Sequence, residues 1–167
     1  SEGAIDKPSF RGAMRHKRCL IPASGFYEWQ KRPGAKSQPY LVSPKDGGLI
    51  AFAGLWEDWS APDGGVMETA TILTTAANRS LRPIHERMPC VVHPDDFAAW
   101  LDVRTVDAKE AAALLRPAPD DLFDTAPIGE DVNKTRNDQA AVQEPVADTA
   151  PEAELEADPP RQFDLFG

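Results

Sequence analysis

The chain has 167 residues, 27 Asp plus Glu against 18 Lys plus Arg, a formal net charge of -9 and a hydrophobic fraction of 41%. That fits one core-forming domain with a short extension. It excludes a membrane span of roughly 18 apolar residues, a signal segment, a disulfide framework and a four-ligand zinc site, since only Cys19 and Cys90 are present.

In chain order, Ser9 to Lys17 reads as a short basic helix, with Ser9 as its cap and Phe10, Ala13 and Met14 on one face. Cys19 to Ile21 opens an extended stretch that continues through Phe26-Tyr27-Glu28-Trp29, interrupted at Pro22 and Gly25. Lys31 to Ser37 reads as a turn. Pro39 to Val42, Leu49 to Glu57 and Thr69 to Thr75 are further strands, with Asp46-Gly47-Gly48 as a hairpin turn. A helix begins at Pro94 and runs through Leu101, with Asp95 and Asp96 in its first turn. Asp107 to Leu115 is a second, Ala-rich helix. Runs of strands with few helices between them predict an α+β fold with a mostly antiparallel sheet. From Gln143 onward Pro, Ala and acids leave little to bury, which predicts disorder. This extension nevertheless ends Gln162-Phe163-Asp164-Leu165-Phe166, an apolar cluster suited to a partner's pocket.

The net charge weighs against a nucleic-acid partner, but it is unevenly spread. Residues 1–40 carry eight bases and three acids, residues 41–145 nine bases and eighteen acids, and residues 146–167 one base and six acids. Screening confines each patch to about 8–10 Å. The basic opening segment is therefore either a phosphate-binding face or a solvated helix face plus a loop.

Three features could carry chemistry. Glu28 lies among aromatic residues, a setting that suits a general acid, or it is an exposed acid on an edge strand. His85 lies between Pro83 and Pro89, with Arg87 two residues on, where a phosphate could sit beside the imidazole. The other reading of His85 is a structural residue paired with Glu86. Cys19 follows His16, Lys17 and Arg18, and Cys90 lies five residues from His85, but both flank apolar strand text and read as buried structural thiols.

Taken together, KPSFRGAMRHKRCLIPASGFYEW, QPYLV, AFAGLWEDW, TATILTTAANRSLRPIHERMPCVVHPDDFAAWL and VNKTRND resemble the SRAP (SOS response-associated peptidase) family over about residues 1–145. The resemblance implies a barrel-like, mostly antiparallel α+β fold with a few flanking helices. It implies processing of abasic sites in single-stranded DNA, as part of the DNA damage response. In that chemistry an N-terminal cysteine condenses with the ring-opened sugar into a thiazolidine crosslink. Glu28 and His85 match the catalytic acid–base residues. Trp29, Thr74 and Arg87 match DNA-contacting positions, for stacking, hydrogen bonding and phosphate contact. Ser1-Glu2-Gly3 matches the middle of a family segment whose asparagine and nucleophilic cysteine lie upstream, so the expectation is an N-terminally incomplete domain, residues 1–145, that forms no crosslink as given. The remaining segment, 146–167, resembles a carrier of the bacterial sliding-clamp pentapeptide, with Gln162, Asp164, Leu165 and Phe166 as contacts. No cofactor, metal or membrane partner is implied, and a cytoplasmic, nucleoid-associated monomer is expected. The alternatives are a cysteine peptidase using Cys19 or Cys90, and a non-catalytic, clamp-bound DNA-binding adaptor.

Overall fold

In the computed structural model, which describes residues 7–148, the first helix α1 spans Pro8–His16. Its flanking cap is Lys7, not Ser9, and Pro8 takes the first helical position. Proline suits that position because its φ is already helical and its missing N–H would have no partner there. Ala13 and Met14 are buried, as the helical spacing predicts.

The stretch expected from Cys19 to Trp29 divides into β1 (Arg18–Ala23) and β2 (Phe26–Gln30), which belong to different sheets. The division falls at Ser24-Gly25, where a Cβ on Gly25 would stand 2.6 Å from the Val42 carbonyl oxygen, so only glycine lets the backbones approach. Pro22 does not interrupt β1, because β1 is an edge strand and tolerates a missing donor on its open side.

Next come β3 (Gln38–Pro44), β4 (Ile50–Ser60) and β5 (Val66–Ile72). The strand expected to reach Thr75 ends at Ile72. Leu73 turns into the core, and β6 (Thr74–Ala76) pairs instead with β7 (Arg87–Pro89). The helix expected from Pro94 is a 3-10 turn, Pro94–Asp96, leading into α2 (Phe97–Leu101). α3 (Ala108–Ala113) opens with a reciprocal capping box between Asp107 and Glu110. The last strand is β8 (Phe123–Pro127), and two further 3-10 turns cover Glu130–Asn133 and Ala140–Gln143. None of the described helices is long and apolar enough to cross a membrane.

All strand pairings are antiparallel, in sheets ordered β1-β4-β5, β2-β3-β8 and β6-β7. The α+β class holds, but the expected barrel does not close. The reason lies in β4, which is buried on both faces from Ile50 to Leu55. Its alternating side chains feed two cores. Ala53 and Leu55 join Met14, Leu73 and Trp100, while Ile50 and Phe52 join Val42, Ile84, Met88 and Phe123. A sheet between two cores cannot wrap around one.

Two further expectations are refined. Of the bases at the α1–β1 junction in the opening segment, Arg18 is only 5% exposed and donates to the carbonyl oxygens of Met14, Trp100, Asp102 and Val106 at 2.6–3.0 Å. Lys17 pairs with Glu57 and Asp58 and lies over the Trp56 ring, so it offers no isolated phosphate-binding charge. Disorder also does not begin at Gln143. Residues 143–148 dock: the Gln143 amide donates to the Tyr27 hydroxyl, Val146 N–H to the Pro127 carbonyl, and Asp148 pairs with Arg32. Backbone and charge-assisted bonds order this segment where its apolar content is low. Residues 1–6 and 149–167, including Gln162, Asp164, Leu165 and Phe166, lie outside the described residues.

Candidate functional site

Four segments meet at one rim of the β2-β3-β8 sheet. On β2, Phe26 and Glu28 share a face, and Phe26 packs edge-on against Phe52 and Phe123 at 5.7 Å. Glu28 stands two residues further along that row, where the apolar core gives way to solvent, and its side chain is 23% exposed. One carboxylate oxygen, Oε1, accepts the Trp29 backbone N–H at 3.1 Å. The other, Oε2, stands 4.0 Å from His85 Nδ1. Glu86, the alternative partner for His85, instead lends its backbone carbonyl to Ala77 N–H.

His85 reaches the rim on a turn, not on a strand. Its Nδ1 accepts the Arg87 N–H at 3.1 Å and lies 3.0 Å from the Arg87 carbonyl. The same backbone therefore satisfies Nδ1 as an acceptor in the neutral ring and as a donor in the imidazolium. With Nδ1 served in both states, Nε2 is the nitrogen left for proton transfer.

The turn itself is fixed by Asn78, a buried side chain. Its amide nitrogen donates to the Ala118 and Pro119 carbonyls at 3.1 and 3.0 Å, and its oxygen accepts from Leu81 N–H and the Ser80 hydroxyl, both at 3.0 Å. Gln30 ties β2 to the same turn through the Pro83 carbonyl at 2.9 Å.

Arg87 opens β7 because the chain folds back at Glu86, and its guanidinium is braced on Thr74, bonding the carbonyl at 2.7 Å and the hydroxyl at 3.2 Å. Thr74 thus positions Arg87. Trp29 projects from the opposite face of β2 to Glu28 and is 37% exposed. Its indole N–H donates to Asn133 Oδ1 at 2.8 Å, which fixes the ring by its edge and leaves ring surface for stacking. Asn133 belongs to the VNKTRND segment, which the sequence singled out without a role.

The thiols lie elsewhere. Cys90 is fully buried, and burial pushes the Cys19 thiol up, so neither environment favours a thiolate.

A family model, SOS response associated peptidase (SRAP), matches residues 1–135. The chain belongs to the SRAP family. Its SRAP relatives include the abasic site processing protein YoqW of Bacillus subtilis (strain 168), 36% identical over 137 residues that cover 82% of this chain and 61% of the relative. The abasic site processing protein HMCES of Gallus gallus is 35% identical over 159 residues, covering 83% of this chain and 46% of HMCES. The chain thus spans about three-fifths of the Bacillus relative and less of the avian one. A crystal structure from Bacteroides thetaiotaomicron superposes with a TM-score of 0.79 at 29% identity, over 87% of this chain and 63% of that one. One from Bordetella bronchiseptica gives 0.68 at 29%, over 77% and 63%.

In this SRAP domain, then, the five residues singled out from sequence fall in one neighbourhood: Glu28 faces His85, Trp29 adjoins Glu28, and Arg87 joins the His85 turn to Thr74. Sequence reasoning missed Gln30 and Asn78, which hold the turn, and the Arg32–Tyr40–Asp148 group beyond it. The Asn78 oxygen makes a local turn with Ser80 and Leu81 that an Asn in loop-like text can signal, but its amide nitrogen bonds Ala118 and Pro119 some forty residues away, which no local pattern marks.

Proposed function

We propose that this chain supplies the acid–base and strand-holding part of an abasic-site processing protein acting on single-stranded DNA. The carrying observation is the Glu28 carboxylate 4.0 Å from His85 Nδ1 at a partly exposed rim, with Trp29 and Arg87 alongside. That relatives are named abasic site processing proteins supports the substrate class.

In the reaction implied by the family resemblance, an α-amine adds to the aldehyde carbon of the ring-opened sugar and the hydroxyl leaves as water, giving a Schiff base. The thiol of the same cysteine then adds across the carbon–nitrogen double bond and closes a thiazolidine, with one water lost overall. Each addition and departure needs a proton moved at oxygen or nitrogen. Glu28 suits the sugar oxygen during ring opening, and His85 suits the departing hydroxyl and its return on reversal. Arg87 answers a phosphate and Trp29 stacks on a neighbouring base. The nucleophile is none of these residues. Buried Cys90 and desolvated Cys19 do not replace it, and for the same reason they make poor peptidase nucleophiles.

The test is fluorescence anisotropy with a labelled single strand, with or without an abasic site, followed by a denaturing gel. The abasic strand is expected to bind tighter than the intact one, with Trp29→Ala and Arg87→Gln each weakening it about tenfold. No covalent band is expected from these 167 residues. Equal binding of both strands, or a covalent band, overturns the reading.

A second reading concerns a partner. Gln162-Phe163-Asp164-Leu165-Phe166 fits the Gln-x-Asp/Ser-Leu-Phe pattern of sliding-clamp ligands. Gln162 would satisfy polar groups at the pocket rim while Leu165 and Phe166 fill it.

A further inference from the structure

Beyond Gln30, on the Glu28 side of β2, the chain builds a second polar group that the acid–base pair does not use. Arg32 donates through Nε to Gln30 Oε1 at 3.2 Å and through its terminal nitrogen to Asp148 Oδ1 at 2.6 Å. The other Asp148 oxygen, Oδ2, accepts the Tyr40 hydroxyl at 2.8 Å. Tyr40 is the direct cross-strand partner of Glu28, so this group is one side chain from the catalytic carboxylate. Burial, then the bond to Asp148, push the Tyr40 hydroxyl up and keep it a donor.

Gln30 and Arg32 of this group line a cleft of about 810 Å³ bounded by the β2–β3 turn, Ile128 to Glu130, and Val146 and Ala147, with Tyr40 and Asp148 bonded behind Arg32. Its ionisable lining is Lys31, Arg32 and Lys36 against Glu130; Lys36 pairs with Glu130 at 2.8 Å and Arg32 with Asp148, so the basic excess of the walls rests on Lys31 until Asp148 is displaced. The cleft adjoins the backbone around Trp29, whose side chain is not part of its lining. Trp29 is paired across the sheet with Pro39, which lines it, and the turn that lines it through Glu130 ends at Asn133, the indole's partner. Arg32 and Tyr40 thus present a guanidinium and a hydroxyl that converge on one anion. In this structure the anion is the chain's own carboxylate, carried on a segment whose bonds include the Glu144 N–H to Ala141, the Val146 N–H to Pro127 within the Ile128–Pro145 bridge, the Gln143 amide to Tyr27 and the Asp148 contacts themselves.

We propose that Arg32 and Tyr40 form a phosphate-binding subsite for the nucleic-acid strand running from the Glu28–His85 pair into this cleft, and that Asp148 holds the phosphate position as an intramolecular competitor. The proposal rests on the single-stranded DNA reading and adds where the strand leaves the acid–base pair. A carboxylate and a phosphate make the same kind of bond to a guanidinium, so one displaces the other without rebuilding the site. Docked, residues 143–148 narrow the cleft. Displaced, they leave one more cation on the path of the strand.

The experiment measures affinity and salt dependence for an abasic single strand with the full chain and the variants D148A, D148N, W29A and the double variant D148A/R32Q. D148N removes the charge but keeps one acceptor oxygen and offers an NH2 that the Tyr40 hydroxyl oxygen can accept from, so it separates loss of charge from loss of the side chain. The expected result is about three- to tenfold tighter binding for both D148A and D148N, with a salt slope steeper by about 0.7, one added phosphate contact on a single strand. R32Q in the D148A background returns both to the original values. If D148A and D148N leave affinity and slope unchanged, or weaken binding, while W29A still weakens it, the Arg32–Asp148 pair is a structural clasp and the subsite falls with the DNA reading intact. If the unaltered chain binds no single strand, the DNA reading itself fails and takes the proposal with it.

Discussion

His85 owes its place to Asn78. The imidazole sits on a turn whose backbone is gathered by one buried amide, and all four hydrogen-bonding positions of that amide are used. Removing it leaves the Ala118 carbonyl and the Leu81 N–H short of a partner inside the protein, while the Pro119 carbonyl keeps the Leu122 N–H. Asn78→Ala is therefore expected to lower unfolding free energy in urea by about 2–4 kcal/mol. Asn78→Asp should do no better despite its matching size, because its oxygens would face two carbonyl oxygens. If both variants unfold within about 0.5 kcal/mol of the original chain, the span of an ordinary surface change, the turn is held by something else. Glu28 and His85 were legible in the sequence as residue types in suggestive company. Their meeting at 4.0 Å was not, since the contact depends on an amide whose NH2 partners lie forty residues downstream.

Elements were legible where local chemistry decides and illegible where distant bonds do. Asp107 and Glu110 mark the start of α3 in the sequence because the capping box is a local exchange of bonds. The continuous text of Thr69 to Thr75 hides the end of β5, because Leu73 is drawn inward by bonding the Ala53 carbonyl and the Cys90 N–H. β8, between proline-rich segments, draws no assignment from the sequence and is a strand through its pairing with β3. The α2–α3 connection gives a pH prediction at this scale. The Thr105 hydroxyl, then the Thr105 and Arg104 N–H groups, hold the Asp102 carboxyl below its usual value. The Glu110 N–H, with that of Lys109, does the same for Asp107 against an opposing desolvation. Both folded values are depressed, so their contribution is complete above the unfolded carboxylate value of about 3.9 and disappears as pH falls through the folded values. The melting temperature followed by circular dichroism should hold steady from pH 7 to about 5 and fall below about pH 4. In the double variant Asp102→Asn/Asp107→Asn the fall should be shallower. An identical fall would place the acid sensitivity outside this connection.

For the whole molecule, the charge of -9 describes no single surface. Arg18 is spent on four carbonyls and Lys17 on two acids, while at the cleft Arg32 and Lys36 each face a single carboxylate, Asp148 and Glu130. Residues 149–167 add Glu152, Glu154, Glu156, Asp158 and Asp164 against Arg161, so ending the chain at Asp148 takes the formal charge from -9 to -5. Asp148 is bonded at the basic cleft, so those acids are covalently attached to the edge of the proposed strand path. Charges interact over roughly 10 Å at 0.1 M salt but only about 3 Å at 1 M. A chain ending at Asp148 should therefore bind an abasic single strand several-fold tighter than the full chain at about 50 mM salt, and equally at about 1 M. The double variant Leu165→Ala/Phe166→Ala changes no charge, so it should leave DNA affinity untouched at both salts. It should instead abolish capture of the bacterial sliding clamp in a pull-down, an interaction expected at micromolar order because ordering a peptide costs several kcal/mol. Tighter DNA binding on truncation that persists at high salt would point to steric blocking, not charge. Clamp capture that survives the double variant would remove the partner reading while leaving the electrostatic one standing, because the two predictions depend on different residues of the same segment.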